Sequence, residues 1–172
     1  NAHIATGEPG STAASTLPLQ DILVTDGVFT AFGPGLAQQY EAQGGDLAAI
    51  EVVDLGGKLV CPPFCDTHLH LDYVFTARKP GAVNESGTLF EGIQRWSETK
   101  SDLTVDEIKQ RAKIGIKKEM LHGVQLIRSH ADVTDPNLTS LKALLELKEE
   151  LKDTVTLQIV SFPQEGMYSY EG

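Results

Sequence analysis

The pattern of apolar and polar positions along the chain changes near Leu59. Before this point, short apolar runs are separated by turn residues, which is typical of strands and hairpins. The stretch DILVTDGVFTAFG (21–33) predicts a β-hairpin, because Asp26-Gly27 is a strong two-residue turn signal. We also expect a strand in NAHIA (1–5), a loop in GEPGSTAAST (7–16) and two strands around Gly56-Gly57 in AIEVVDLGGKLVCPPF (49–64).

From Leu59 onwards the pattern predicts strands that alternate with helices. Thr104 and Glu107 form a capping box, which predicts the start of a helix that ends at Gly123. Apolar residues recur at every fourth position of this helix: Ile108, Ala112, Ile116 and Met120. A strand in VQLIRSHADV (124–133) comes next.

A second amphipathic helix is predicted in LTSLKALLELKEEL (138–151), before a strand in TVTLQIVSFPQ (154–164). The leucines expected near one face of this helix are Leu138, Leu141, Leu145 and Leu151. Strands alternating with helices predict parallel βα units, which occur in doubly wound sheets and in (β/α)8 barrels. No glycine-rich phosphate-binding motif is present to favour a nucleotide-binding sheet. A barrel needs about 250 residues, so we expect an incomplete barrel and a chain that is a piece of a longer protein.

The stretch KLVCPPFCDTHLHLD (58–72) carries the first candidate chemistry. His68 and His70 are two positions apart on a predicted strand, so their side chains project in the same direction and can share one metal ion. This spacing alone is equally compatible with two polar residues beside water, but the position at the carboxyl end of an apolar strand favours a metal site. Asp72 could orient a histidine or cap the next segment, and we favour capping.

The next two predicted strands also end in polar residues. His130 ends the second strand and is either a pocket residue or a structural histidine. Gln164 ends the third strand, and its amide offers both a donor and an acceptor to the edge of a heterocycle. Their acidic neighbours Asp132 and Glu165 are expected either at the surface or behind the residues that contact a ligand.

Composition limits the choice of partner and compartment. The formal net charge is −10, from 24 acidic and 14 basic residues, which disfavours a nucleic-acid polymer as partner. No run approaches the roughly 20 apolar residues that span a bilayer, so we expect no membrane partner. Cys61 and Cys65 are predicted to be free thiols, and a cytoplasmic location is the simplest interpretation.

Several motifs from about residue 59 to residue 172 resemble one family. These motifs are PPF.D.HLHLD, SGTLFEGIQRW, KQRA, HGVQ…R.H.DV and LQIVSFPQEG, and they occur in the order and at the spacing found in the bacterial cytosine deaminases of the amidohydrolase superfamily. The resemblance implies that residues 59–172 are the first three βα units of a (β/α)8 barrel. It further implies that residues 1–58 belong to a small β-sandwich domain, which they resemble in general character only.

The resemblance also implies a site and a reaction. One divalent metal ion, Fe²⁺ or Zn²⁺, is expected, with His68 and His70 as two of its ligands. Gln164 is expected to contact the ring of a pyrimidine-like base, the backbone of Leu89 to approach it, and His130 to face the same pocket. The implied reaction is hydrolytic deamination, in which metal-activated water attacks the ring and a carboxylate from a later strand moves the protons.

The sequence departs from the family in YVFTARKPGAVNE (73–85), which includes Tyr73, Phe75, Arg78 and Lys79. Because this region borders the pocket, alternatives stay open: a related amidohydrolase for N-substituted triazines or cyclic amides, or a non-catalytic homologue. The expected partner is a small heterocyclic base, and the full-length protein is expected to form a homo-oligomer. We expect residues 1–172 alone to be inactive, because two imidazoles do not complete a catalytic metal site.

Overall fold

The computed structural model describes residues 1–5 and 17–168, so the loop predicted at residues 7–16 lies outside the described residues. The chain divides into two compact units, Asn1–Pro62 and Pro63–Gly172. The strands are β1 (Ala2–Ile4), β2 (Leu19–Thr25), β3 (Val28–Gly33), β4 (Leu59–Val60), β5 (Phe64–Leu69), β6 (Val124–Asp132) and β7 (Thr156–Phe162). The α-helices are α1 (Leu36–Ala42), α2 (Leu89–Lys100), α3 (Val105–Leu121) and α4 (Thr139–Glu150).

The first unit contains a four-stranded sheet in the order β3-β2-β1-β4. Strands β2 and β3 form the predicted antiparallel hairpin. Its turn residues have positive φ angles, 51° at Asp26 and 75° at Gly27, as the favoured two-residue turn requires. The strand predicted at the start of the chain is confirmed as β1, which pairs antiparallel with β2 and parallel with β4.

The prediction for residues 49–64 was partly wrong. Between residues 49 and 63 only β4 forms, while Val52 and Val53 lie outside any strand and are 60% and 64% exposed. The expected continuous strand from Lys58 to the histidines is also interrupted, because Pro62 and Pro63 have no N–H group to donate to a neighbouring strand. Strand β4 therefore pairs within the first unit, and β5 begins at Phe64 in the second unit.

The second unit is built on three parallel strands in the order β5-β6-β7. Helix α3 precedes β6 and α4 connects β6 to β7, so the predicted mixed α/β pattern is confirmed. The core between these elements is apolar and includes Leu71, Trp96, Ile108, Ile116, Ile127, Leu144, Leu147 and Leu157. In the described residues no helix has the length and apolar character needed to cross a bilayer.

Helix α3 matches the sequence prediction closely. The Thr104 hydroxyl accepts a hydrogen bond from the Glu107 N–H at 3.2 Å, and the Glu107 carboxylate accepts one from the Thr104 N–H at 3.0 Å. This reciprocal pair satisfies two N–H groups that have no partner inside the helix. Ile108, Ala112 and Ile116 are all buried, which confirms the apolar period of four.

The apolar face predicted for α4 was partly wrong, because Leu141 and Leu151 pack against the core but the other two leucines are exposed. The residues that α4 buries are Ser140, Ala143, Leu144 and Leu147. Leu145 is 50% exposed, and Leu138 precedes the helix with a left-handed backbone (φ 50°). Leucines occur on more than one side of this helix, so contact with the sheet and α3 decides which of them are buried. Helix α2, with Thr88 as its N-cap, was not predicted as a helix.

Candidate functional site

His68 lies near the carboxyl end of β5, His70 directly follows the strand, and their side chains meet. Their Nε2 atoms are 3.3 Å apart. Two nitrogens that bind one ion at about 2.0–2.1 Å in tetrahedral geometry lie roughly 3.3–3.4 Å apart. The spacing of the two Nε2 atoms therefore fits a shared metal ion.

The hydrogen bonding of His70 favours the same use. His70 Nδ1 lies 3.0 Å from the carbonyl oxygen of His130, and because a carbonyl only accepts, Nδ1 carries the hydrogen and donates it. Nε2 of the neutral ring then carries the lone pair and faces His68 Nε2, and a hydrogen bond such as that from Nδ1 commonly orients a histidine that binds a metal. Burial, with the nearby His68 and His130, lowers the pKa of His70 and favours the neutral ring.

His130 is the third imidazole at this end of the sheet. Its ring stacks on His68 at a centroid distance of 4.0 Å and contacts the edge of Phe162 at 5.8 Å. Its Nδ1 atom is buried and has no hydrogen-bond partner among the described residues. Burial and the neighbouring His68 lower the pKa of His130. Within residues 1–5 and 17–168, however, no group of three or more His, Cys, Asp or Glu side chains is arranged to hold a metal ion.

A cavity of about 430 Å³ brings together the other two residues singled out from the sequence. Leu89 and Gln164 both line it, although they are 75 positions apart in the chain, and Tyr73 and Trp96 line it as well. Tyr73 connects this cavity to the histidines, because its ring also stacks on His70 at 4.6 Å. The cavity therefore has aromatic walls and two amide side chains, those of Asn84 and Gln164, a combination that suits a flat polar ring.

The segment before α2 is held by its own hydrogen bonds. The Glu91 carboxylate accepts hydrogen bonds from the Ser86 hydroxyl and from the N–H groups of Ser86 and Glu85, and the Ser86 bonds lower the pKa of Glu91 to about 2. The Asn84 side chain accepts from the Gly87 N–H. These contacts fix the start of α2, where Leu89 is the first residue and its N–H has no acceptor inside the helix.

Two buried carboxylates connect the ends of β5 and β6. We expected Asp72 to cap the next segment, but it does not cap a helix. It is fully buried, and its carboxylate accepts hydrogen bonds from the backbone N–H groups of Tyr73 and Asp132. Burial raises the pKa of Asp72 to about 6. Asp72 is thus a cross-link that fixes the strand ends on which the histidines sit.

Asp132 is 1% exposed and accepts hydrogen bonds from Trp96 Nε1 at 2.6 Å and from Lys100 Nζ at 3.2 Å. Burial acts to raise its pKa, but hydrogen bonds from Thr134 and Trp96 and the charge of Lys100 lower it overall. Lys100 Nζ also donates to Glu165, the residue next to Gln164. One lysine at the end of α2 therefore joins the end of β6 to the turn that carries Gln164.

A comparison of the sequence with models of known protein families identifies the family of the chain. The model of the amidohydrolase family matches residues 51–172. The chain belongs to the amidohydrolase family. This amidohydrolase chain is 35% identical over 120 residues to N-isopropylammelide isopropyl amidohydrolase of Pseudomonas sp. (strain ADP), covering 67% of this chain and 30% of that protein. It is 27% identical over 152 residues to pterin deaminase of Rhizobium rhizogenes (strain K84 / ATCC BAA-868), covering 86% of this chain and 32% of that protein.

Solved structures of amidohydrolases resemble the chain in three dimensions. 5-Methylcytosine deaminase from Klebsiella pneumoniae, liganded with 5-fluorocytosine, matches with a TM-score of 0.73 and 38% identity, covering 99% of this chain and 37% of that one. N-isopropylammelide isopropylaminohydrolase from Burkholderia multivorans ATCC 17616 matches with a TM-score of 0.60 and 24% identity over 89% of this chain and 36% of that one, which shows a shared fold. The resemblance to cytosine deaminases is thereby confirmed, and the chain spans about a third of the length of its curated relatives.

Sequence reasoning about this amidohydrolase missed Tyr73 and Trp96, which line the cavity, and Lys100, which binds Asp132. Trp96 lies within a quoted motif but was given no role, Tyr73 was noted only as a departure from the family, and Lys100 was not considered. Strand β6 ends in Asp132 directly after the apolar Ala131, and this was an available signal, since a buried carboxylate needs a cation or several donors. That signal would have indicated the need for a partner without identifying Lys100.

Proposed function

We propose that the whole protein is a divalent-metal-dependent hydrolase that removes an amino group, as ammonia, from cytosine or a similar amino-substituted ring. The observation that carries the proposal is the convergence of His68 Nε2 and His70 Nε2 at 3.3 Å, next to a cavity with aromatic walls. The 38% identity to a 5-methylcytosine deaminase supports the choice of ring. Amidohydrolases generally bind a divalent metal, and Fe²⁺ and Zn²⁺ are the proposed ions.

His68 and His70 would hold the metal through their Nε2 atoms. When bound, such an ion supplies a nucleophile for hydrolysis at neutral pH, because it lowers the pKa of a water molecule to about 7. The carbonyl of His130 holds the ring of His70 in place. The Asp72 carboxylate accepts a hydrogen bond from the Asp132 N–H, which links the backbone after His70 to β6. This link helps to hold both imidazoles in position.

Gln164 and Leu89 are the proposed contacts to the ring. The amide of Gln164 can donate to one ring atom and accept from another, which fixes the edge that faces the histidines. The N–H of Leu89 is free of the helix and can donate to a ring nitrogen or carbonyl. His130, whose ring stacks on His68, is the third proposed contact to a bound molecule. A site of this kind rejects rings that leave its buried polar groups unpaired.

The rest of the proposal concerns the whole protein. Since the chain spans about a third of its relatives, we propose that the remaining metal ligands and the acid–base carboxylate come from the part that corresponds to the rest of those relatives. The three parallel strands would then be the first strands of a (β/α)8 barrel, and residues 1–58 part of a β-sandwich domain. We further propose that the whole protein forms a homo-oligomer and binds neither a nucleic-acid polymer nor a membrane.

The test is an assay of ammonia release by the purified whole protein after loading with Fe²⁺ or Zn²⁺. Cytosine and 5-methylcytosine are the first substrates, and we expect ammonia and the corresponding oxo ring in equal amounts. A Gln164→Ala variant should raise KM more than it lowers kcat if Gln164 binds the ring. No ammonia from either ring, at full metal occupancy, would exclude the proposed substrate.

A second candidate is hydrolysis of an N-substituted triazine. The 35% identity to an N-isopropylammelide isopropyl amidohydrolase favours it. The same preparation should then release isopropylamine from N-isopropylammelide and no ammonia from cytosine. If the whole protein takes up no metal and hydrolyses neither ring, a non-catalytic role becomes the better interpretation.

A further inference from the structure

Helix α2 and the turn that follows β7 both contribute to the cavity of about 430 Å³. Gln164 lies in this turn of residues 163–166, in which the Gly166 N–H donates to the Pro163 carbonyl at 2.9 Å. The lining residues that come from α2 are Leu89, Gly92, Ile93 and Trp96. The position of the Gln164 amide in the cavity therefore depends on how the turn is held against α2.

An ion pair joins the turn to α2. Lys100 is the last residue of α2, and its Nζ lies 2.5 Å from a carboxylate oxygen of Glu165. In the part of the chain that the structure describes, this contact is the only side-chain hydrogen bond made by residues 163–166. Glu165 is therefore the side chain that connects the turn to the helix.

The lysine of this ion pair is itself held in place. The Lys100 side chain is 11% exposed, and its Nζ also donates to the Thr134 hydroxyl at 2.7 Å and to the Asp132 carboxylate at 3.2 Å. An ammonium group has three N–H donors, and Asp132, Thr134 and Glu165 together supply acceptors for all three. Lys100 is thus a fixed anchor, to which the 23% exposed Glu165 attaches the turn.

The Gln164 amide has no such support of its own. Its side chain has no hydrogen-bond partner among residues 1–5 and 17–168, so the amide is available to a ligand. Ordering a mobile side chain when a ligand binds reduces the affinity. Because Glu165 is the next residue, its bond to Lys100 restricts the backbone from which Gln164 projects, and less order has to be gained on binding.

We infer that Glu165 is a positioning residue, which binds Lys100 and thereby holds the Gln164 amide where it contacts the ring of the substrate. Glu165 does not itself line the cavity, and it acts on the ring only through Gln164. The inference rests on the proposed function, because it takes Gln164 as a contact to the substrate.

The test measures KM and kcat of the metal-loaded whole protein on whichever ring the parent converts, cytosine or N-isopropylammelide. Glu165→Ala should raise KM about tenfold and leave kcat within about twofold, since a contact made equally to substrate and transition state changes KM alone. Glu165→Gln keeps an oxygen that accepts from Lys100, so its KM should lie between those of the parent and Glu165→Ala. It also serves for the comparison if the alanine variant fails to fold. A lower kcat at unchanged KM would overturn the inference.

A double-mutant cycle separates this role from a general loosening of the fold. Gln164→Ala removes the contact through which Glu165 acts, so adding Glu165→Ala to Gln164→Ala should raise KM by less than about twofold. If the two effects on KM multiply instead, Glu165 acts independently of Gln164 and the inference is wrong.

Glu146→Ala is the matched control, because Glu146 also binds a lysine, Lys109 at 2.8 Å, and lies outside the cavity. It should leave KM and kcat as in the parent, and a rise in KM as large as that of Glu165→Ala would overturn the inference. An active parent whose KM is unchanged by Glu165→Ala would also overturn it, while leaving the proposed function intact. A parent that converts neither ring would overturn both.

Discussion

Lys100 is the cation that holds a buried carboxylate near the candidate site, and its replacement is the sharpest test of the packing described above. The Lys100 side chain is 11% exposed and lies 3.2 Å from the Asp132 carboxylate, which is itself 1% exposed. Lys100→Met keeps the length and the apolar stem of the side chain but removes the charge. The substitution therefore leaves Asp132 charged and buried without its cation.

The expected loss follows from what Asp132 retains. Removing one partner of a buried ion pair costs about 3–5 kcal/mol, because the other charge is left uncompensated. Asp132 still accepts hydrogen bonds from Trp96 and from the N–H and hydroxyl of Thr134, so we expect a loss at the lower end, about 3 kcal/mol. For a chain of 172 residues, a loss of about 3 kcal/mol corresponds to a fall in Tm of roughly 6–12 °C.

Urea unfolding followed by circular dichroism measures the loss, and Lys109→Met is the matched control. Lys109 also binds two carboxylates, Glu146 and Glu150, but these are 55% and 40% exposed and keep their water when the lysine is removed. We therefore expect a much smaller change for Lys109→Met. If Lys100→Met destabilises the protein no more than Lys109→Met does, the buried cross-link has been misassigned.

Three further predictions concern the framework of the second unit. Thr104→Ala removes the N-cap of α3 and should lower the free energy of unfolding by about 1 kcal/mol, measured by urea denaturation. Leu147→Ala leaves a cavity at a fully buried position of α4 and should cost about 2–5 kcal/mol in the same assay. Burial acts to raise the pKa of Asp135, but hydrogen bonds from Thr139 lower it overall, so its ionised form stabilises the fold above the ordinary pKa of 3.8. Stability should fall as the pH drops through that region, and Asp135→Asn should reduce the fall; an unchanged pH profile in the variant would contradict this assignment.

The parts of the fold that were predictable from the sequence depend on local patterns. Helix α3 follows from its capping box and a single apolar stripe, and the β2–β3 hairpin follows from Asp26-Gly27. The errors arose where local patterns were ambiguous or interrupted. Leucines on several sides of α4 left its buried face to be decided by tertiary packing, and Pro62-Pro63 ended a strand that the apolar run alone would have continued.

In the candidate site, too, some features follow from local sequence patterns and others depend on tertiary contacts. The convergence of His68 and His70 was predicted from the two-residue period of a strand, and the structure brings the pair together although β5 ends at Leu69. Contacts such as Lys100 with Asp132 and with Glu165 join residues 32 and 65 positions apart, and no local pattern specifies them. Tyr73 is an intermediate case, because the sequence marked its segment as unusual and only the structure placed its ring on His70.

The central claim is that the His68 and His70 pair holds the metal ion required for hydrolysis. The most direct measurement is the rate of ammonia release from cytosine by the metal-loaded whole protein, compared between the parent and a His68→Ala/His70→Ala variant of known metal content. We expect about one bound metal ion per parent chain, and in the variant a loss of both the metal and the ammonia release. A variant that keeps the parent's metal content and rate would contradict the claim.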